Sequence, residues 1–275
     1  MHCRLFPSLV DFRGETPHGT DPMRRLIFIL GSFTLTACSG GGGDAAPSSP
    51  PVVNQSIGGI WTGTDNSGNS IVALATETGE FHFLDLTNDA QGFGTGSVAN
   101  GNTVALTYTI VPALNDTLPD GSTSGACTGT GTVQQRQSLS VGISCTTSAS
   151  SWTGSATLTY DATYDRDSSL ALVGGNYEDF GDVLTINSNG VLFEQSATSG
   201  CVLNGQLSII NPSWNAYDVA FTVSNCQGTQ SVLNGSAWDG IAALELEGGS
   251  ETLIAAFTGT VQGKTFSIVA AFPEI

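Results

Sequence analysis

Positive charge is the scarcest property of this chain. Seven Lys+Arg stand against 24 Asp+Glu in 275 residues, for a formal net charge of −17. Arg4, Arg13, Arg24 and Arg25 fall before residue 38, so Arg136, Arg166 and Lys264 are the basic side chains of everything that follows. Binding to phosphate backbones needs a basic stripe that displaces counterions, so a nucleic-acid partner is excluded. An anionic lipid surface would likewise repel this chain, and membrane attachment has to come from something other than its protein face. Histidine is almost as rare: His2, His18 and His82 are all there is. With no Cys-x-x-Cys and His82 alone beyond residue 38, no zinc site is expected, and no cofactor of any kind. A Ser-His-Asp triad would have to use His82, yet no Gly-x-Ser-x-Gly elbow is present, because Thr123 sits at the centre of Gly121–Gly125. His82 alternates out of phase with Phe81 and Phe83 and is expected to face solvent. Gly92-Phe93-Gly94-Thr95-Gly96 lacks the further glycine and helix of a dinucleotide loop, and no lysine follows as in a phosphate loop. The carboxyl groups of Glu178, Asp179 and Asp182 read as exposed loop acids, not as a glycosidase pair. Asp161, Asp165 and Asp167, or Asp65, Asn66 and Asn69, carry hard oxygen atoms but follow no EF-hand order, so no metal is assigned. The chain is expected not to be an enzyme. No window has a useful helical period, and the one apolar run near the start, Leu26–Phe33, is about half the length a membrane-crossing helix needs.

That short run has a role of its own. Met23-Arg24-Arg25 supplies a positive start, Leu26–Phe33 a greasy core, and Leu35-Thr36-Ala37-Cys38 a small-residue cleavage point, which together make a secretory signal. Met1–Pro22, with Asp11, Glu15, Asp21 and three prolines, does not fit a signal, and Met23 is the expected true start. The sequence Leu-Thr-Ala-Cys resembles the lipobox of bacterial lipoproteins. The resemblance implies cleavage before Cys38, acylation of its thiol and new amino group, and a membrane anchor of more than one chain, as stable attachment requires. Ser39 after the cysteine resembles what outer-membrane lipoproteins carry. Residues 1–37 are thus upstream extension and signal, and residues 38–56, rich in Gly, Ser and Pro, are a tether that stiffens toward the domain.

The rest of the chain repeats itself. Ser124-Gly125-Ala126-Cys127 resembles Ser199-Gly200-Cys201. Cys145 precedes Gly154-Ser155-Ala156 at the same offset as Cys226 precedes Gly235-Ser236-Ala237. Gly58-Gly59-Ile60-Trp61 matches Gly174-Gly175-Asn176-Tyr177. The expected units are residues 57–169 and 170–275. Four cysteines allow three pairings, and the duplication chooses one: Cys127 with Cys145 and Cys201 with Cys226, as an oxidising envelope compartment permits.

Period-two alternation runs through both units, as in Val104, Leu106, Tyr108 and Ile110, or Tyr217, Val219, Phe221 and Val223. Cys226 falls one residue late after Val223, for which a β-bulge at Ser224-Asn225 is expected. Turns are marked by Asn66-Ser67-Gly68, Pro119-Asp120-Gly121 and Asn189-Gly190, among others. The fold class is therefore all-β: tandem duplicated antiparallel β units, expected as two small barrels or sandwiches of about eight strands each. Closure would remove edges that a nearly lysine-free chain cannot guard with charge. Core-parity glycines, Gly154, Gly205 and Gly235, point to bent strands or close sheet contacts. Few aromatics and Gly/Ser-rich strands argue against a porin-like barrel.

The junction Tyr160-Asp161-Ala162-Thr163-Tyr164-Asp165-Arg166-Asp167-Ser168-Ser169-Leu170 carries one of the rare cations. Arg166 is expected to pair with Asp161, Asp165 or Asp167 and to dock one unit on the other. With the Gly-Gly-x-aromatic starts and the Cys…Gly-Ser-Ala repeat, the chain resembles uncharacterised proteobacterial lipoproteins that share this junction, which implies placement in the envelope and no activity. Two functions fit these features. One is a non-enzymatic binding module for a partner protein or an apolar ligand, with the loop Val111–Ser124 as contact. The other is a structural spacer with no small ligand. An apolar cavity with a mouth would separate them.

Overall fold

The computed structural model describes residues 52–275 apart from Asp89, Phe180, Gly248 and Gly249. Cys38, the signal and most of the tether lie outside the described residues. Among the described residues, sixteen strands follow one another as antiparallel neighbours, as two sets of eight. The first set is β1 (Gly59–Asp65), β2 (Ser70–Ala75), β3 (Glu80–Asp85), β4 (Ala90–Ala99), β5 (Thr103–Pro112), β6 (Gly125–Gln134), β7 (Ser138–Thr147) and β8 (Ser151–Asp161). It closes as a barrel, because β1 pairs with β8 from Ile60 opposite Asp161 to Asp65 opposite Ala156. The second set is β9 (Gly175–Asp179), β10 (Asp182–Ile186), β11 (Val191–Gln195), β12 (Val202–Ile209), β13 (Tyr217–Ser224), β14 (Ala237–Glu247), β15 (Ser250–Val261) and β16 (Lys264–Pro273).

The duplication is therefore real, but the two copies differ in closure. The second remains an open curved sheet whose end strands meet through a bridge between Tyr177 and Glu274 and a bond from the Ile275 amide to the Asn176 carbonyl, 2.9 Å. β9 has five residues and cannot span the ten of β16. The start of β16 is engaged elsewhere, for Ala113 beyond β5 bridges to Ser267, and the Ser267 hydroxyl donates to the Pro112 carbonyl at 3.1 Å. The edges that lysines would have guarded are thus covered by the neighbouring unit and by the chain's last residues.

The two expected disulfides are present, Cys127–Cys145 and Cys201–Cys226. The first links directly opposed residues of β6 and β7. The late arrival of Cys226 is resolved differently from the expected bulge. β13 ends at Ser224, and Asn225 turns the chain with φ at 60°, after which the Asn234 side chain accepts from the Cys226 amide and donates to its carbonyl. Of the core-parity glycines, Gly205 marks a close approach, since a Cβ there would collide with the Ala220 carbonyl and with Phe221, whereas Gly235 sits in a turn with φ at 84°.

The two units pack side by side within one compact body. Leu74, Leu84 and Val111 point outward from the barrel and are at least partly buried, as are Ile241, Ala243 and Ala256 on the outer face of the second sheet. The junction sits in this contact. Tyr164 stacks on Trp214 at 5.6 Å between centroids, and the Arg136 guanidinium covers the Trp214 ring at 4.5 Å. Asn215, buried, accepts from the Leu244 amide and donates to the Leu244 and Thr163 carbonyls.

Arg166 does not pair with Asp161, Asp165 or Asp167. It reaches Glu251 of β15 with both terminal nitrogens, at 3.0 and 2.6 Å. The neighbouring acids are engaged elsewhere. Asp161 accepts from the amide and hydroxyl of Thr163 and caps the short 3-10 helix Ala162–Asp165, and Asp165 is held by the Tyr160 hydroxyl and by Arg136.

Candidate functional site

The alternating strands aim one face of the barrel inward, and that face does not fill the space it encloses. A cavity of about 140 Å³ lies inside, walled by Trp61, Phe81, Phe83, Ile110, Val141 and Leu158 among others. It opens at the end of the barrel where β1 turns into β2 and β7 into β8. The rim there is Asp65, Asn66, Ser67, Asp85, Trp152 and Thr153.

The rim is built from side chains that cap turns. Asp65 accepts from the amides of Ser67 and Asn69, both at 2.8 Å, and from the Asn69 side chain. Asp85 does the same for Thr87 and Asn88. Asn66 stitches the β1–β2 turn to β8 through the Ser155 amide and carbonyl. Asp65, Asn66 and Asn69 are thus engaged with one another and with backbone, and no group of three His, Cys, Asp or Glu among the described residues is placed to hold a metal ion.

The wall itself is apolar, and its polar atoms are few. The Trp61 indole donates to the Ile57 carbonyl at 2.9 Å. Tyr108 stands edge-on to Phe81 and Phe83, at 5.7 and 5.2 Å, and burial pushes the pKa of its phenol upward, so it remains a neutral hydroxyl. That hydroxyl lies 3.7 Å from Sγ of Cys145.

The loop Val111–Ser124, expected as the contact loop, is also a clasp. Leu118 is buried in the barrel's core cluster while Leu114 packs against the core of the second sheet. Asp120 accepts from the Thr147 and Ser150 hydroxyls at 2.5 and 2.6 Å, which ties the loop to the β7–β8 turn. These bonds hold the Asp120 carboxyl well below its usual range. The tip, Asn115 to Thr117 with Pro119 to Gly121, is exposed, as is Ser124 where the loop ends.

His82 also departs from expectation. Its parity is outward, as expected, yet it is 4% exposed. It stands opposite Leu74 in the β2–β3 register, on the face that meets Ala243 of β14. Its Nδ1 lies 2.6 Å from the Gln91 amide nitrogen, and its Nε2 lies 3.8 Å from Glu80. The imidazole is a buried polar group on the outer face of the barrel, bonded within the barrel's own strands and away from the cavity wall.

The interior of the second sheet is different. Phe221 stacks on Trp238 at 6.3 Å and meets Phe257 edge-on at 5.0 Å, with Tyr177, Tyr217 and Leu244 fully buried beside them. On the same inward side, buried Glu194 of β11 hydrogen-bonds Asp179 of β9, with Asp182 nearby. Burial first, and then the charge of Asp179, pushes Glu194 up to about 8. The pair therefore keeps a proton above the ordinary carboxylate range, and sequence pattern carries no hint of it beyond a carboxyl at inward parity after Leu192.

Comparison with protein-family models, with curated proteins and with solved structures gives no match for this chain.

Proposed function

We propose that the chain is a lipid-anchored envelope lipoprotein, held in the outer membrane through Cys38, whose first barrel is a non-enzymatic binding module for an apolar ligand. The cavity carries this reading. A closed barrel of eight strands is just wide enough for side chains to fill or for one small ligand to enter, and here inward Ala73, Ala75, Ala156 and Gly154 leave room in the middle. A mostly apolar, concave site with a polar rim is the usual form of a small-molecule site. The barrel is also the inverse of a porin, with its apolar face inward and Ser and Thr of β6 to β8 exposed outside, so the acyl chains at Cys38 would be its hold on the membrane.

The packed aromatic interior of the second sheet favours a second role for that half, a rigid spacer that presents the barrel. The test is to isolate the full chain from the membranes of an expressing Gram-negative cell. The expected result is an acylated Cys38 by peptide mass, and an apolar molecule recovered on solvent extraction of the folded protein and recovered in smaller amount from a Cys127→Ser/Cys145→Ser form whose barrel wall is loosened. A soluble chain with a free thiol at residue 38 would overturn the anchor. Protein that carries no extractable molecule and takes up none from envelope extract would leave the spacer role alone.

A further inference from the structure

Among the described residues of the apolar wall, one buried hydroxyl has a poor hydrogen-bond partner. Tyr108 lines the cavity and is 5% exposed. Among the described residues, its hydroxyl meets the Cys145 sulfur at 3.7 Å, and sulfur is a weak acceptor. A buried donor left so poorly satisfied carries a cost that a ligand oxygen can relieve. The volume, about 140 Å³, is close to the roughly 150 Å³ of an engineered apolar cavity that takes up benzene. At the rim stand Asp65 and Asp85, in a chain of formal net charge −17, so an anionic end group is disfavoured.

We propose that Tyr108 is the hydrogen-bond donor to the buried end of the ligand, and that the ligand is an uncharged molecule whose buried part is one ring, or a branched chain of similar bulk, bearing one acceptor oxygen. This rests on the reading of the barrel as an apolar binding module. Any remainder of a longer molecule leaves past Trp152, which lies at the rim and is 39% exposed.

Two probes of nearly the same shape separate the two claims. Isopropylbenzene reports on the cavity alone, and acetophenone replaces one methyl with a carbonyl oxygen. Both are titrated calorimetrically into the full chain and into Tyr108→Phe, with the resonance of a ¹³Cζ-labelled tyrosine followed in the unaltered protein. The expected result is that Tyr108→Phe weakens acetophenone about three- to tenfold and leaves isopropylbenzene within about twofold, while acetophenone alone shifts the Tyr108 signal. Equal acetophenone affinity in both forms, with an unmoved tyrosine signal, would overturn the role of Tyr108 and leave the cavity reading intact. Failure of both probes to bind the unaltered chain would overturn both.

Discussion

Arg166 and Glu251 join the junction to the second sheet through two parallel hydrogen bonds, 3.0 and 2.6 Å long, between groups 30% and 22% exposed. Glu251 raises the pKa of the arginine further, so the guanidinium stays charged. A two-pronged guanidinium–carboxylate pair that is partly shielded is worth more than an exposed one, and removal of one member leaves the other short of partners. Arg166→Met is expected to cost about 1–2 kcal/mol, less at high salt, in denaturant unfolding followed by circular dichroism. An unchanged midpoint at low salt would show that the pair is not a fastener.

Asn215 is the second fastener, and an uncharged one. Its amide serves Leu244 in both directions and Thr163 as well, in a position 2% exposed. Asn215→Ala leaves buried backbone groups of β14 unpaired and is expected to cost about 2–4 kcal/mol, insensitive to salt. Asn215→Asp should be no better, since it lacks the two donors.

The disulfides close segments of 18 and 25 residues. Each is expected to contribute about 3 kcal/mol through the unfolded chain. The two losses should be distinguishable by site. Cys127→Ser/Cys145→Ser loosens the barrel wall next to Tyr108 and weakens ligand uptake, whereas Cys201→Ser/Cys226→Ser lowers stability and leaves uptake by the remaining folded protein unchanged.

Glu194 makes stability depend on pH. Its folded pKa, about 8, lies above the ordinary value of 4.5, so the folded state keeps a proton that the unfolded chain releases. The native state is therefore favoured below pH 4.5 in this respect, and the advantage is lost as pH rises toward 8. The raised pKa of Asp179, caused by burial, acts in the same direction. The melting temperature should fall between about pH 5 and pH 9, and Glu194→Gln, which can still donate to Asp179, should flatten that fall. Parallel profiles for the two forms would place the dependence elsewhere.

Much of this architecture is legible in the amino-acid sequence. Alternation places Phe81, Tyr108, Val219 and Phe221 inward, and the internal repeat pairs the four cysteines, because both signals are local or self-referential. The partner of Arg166 lies 85 residues away, with no pattern to mark it. His82 has outward parity, which means solvent only where nothing covers the sheet. A covering unit is signalled by the unbroken apolar runs Ile241–Leu244 and Leu253–Phe257, which read as strands buried on both faces. The cavity leaves no trace at all, since inward alanines look the same in a filled barrel as in a hollow one. Closure of the first sheet and not the second turns on the short β9, a matter of strand length that composition does not carry.

Whether the barrel receives a ligand is tested most directly by filling it. Ala156 lines the cavity from β8, and Ala156→Leu adds side-chain bulk into the space without altering the strand's pairing. Toluene is titrated into the full chain and the variant, with binding read from its own NMR signals. The expected result is saturable binding to the unaltered chain with Kd below about 1 mM, and its loss in Ala156→Leu at unchanged circular dichroism. Toluene that ignores both proteins, or that binds both alike, would contradict the barrel as a binding site.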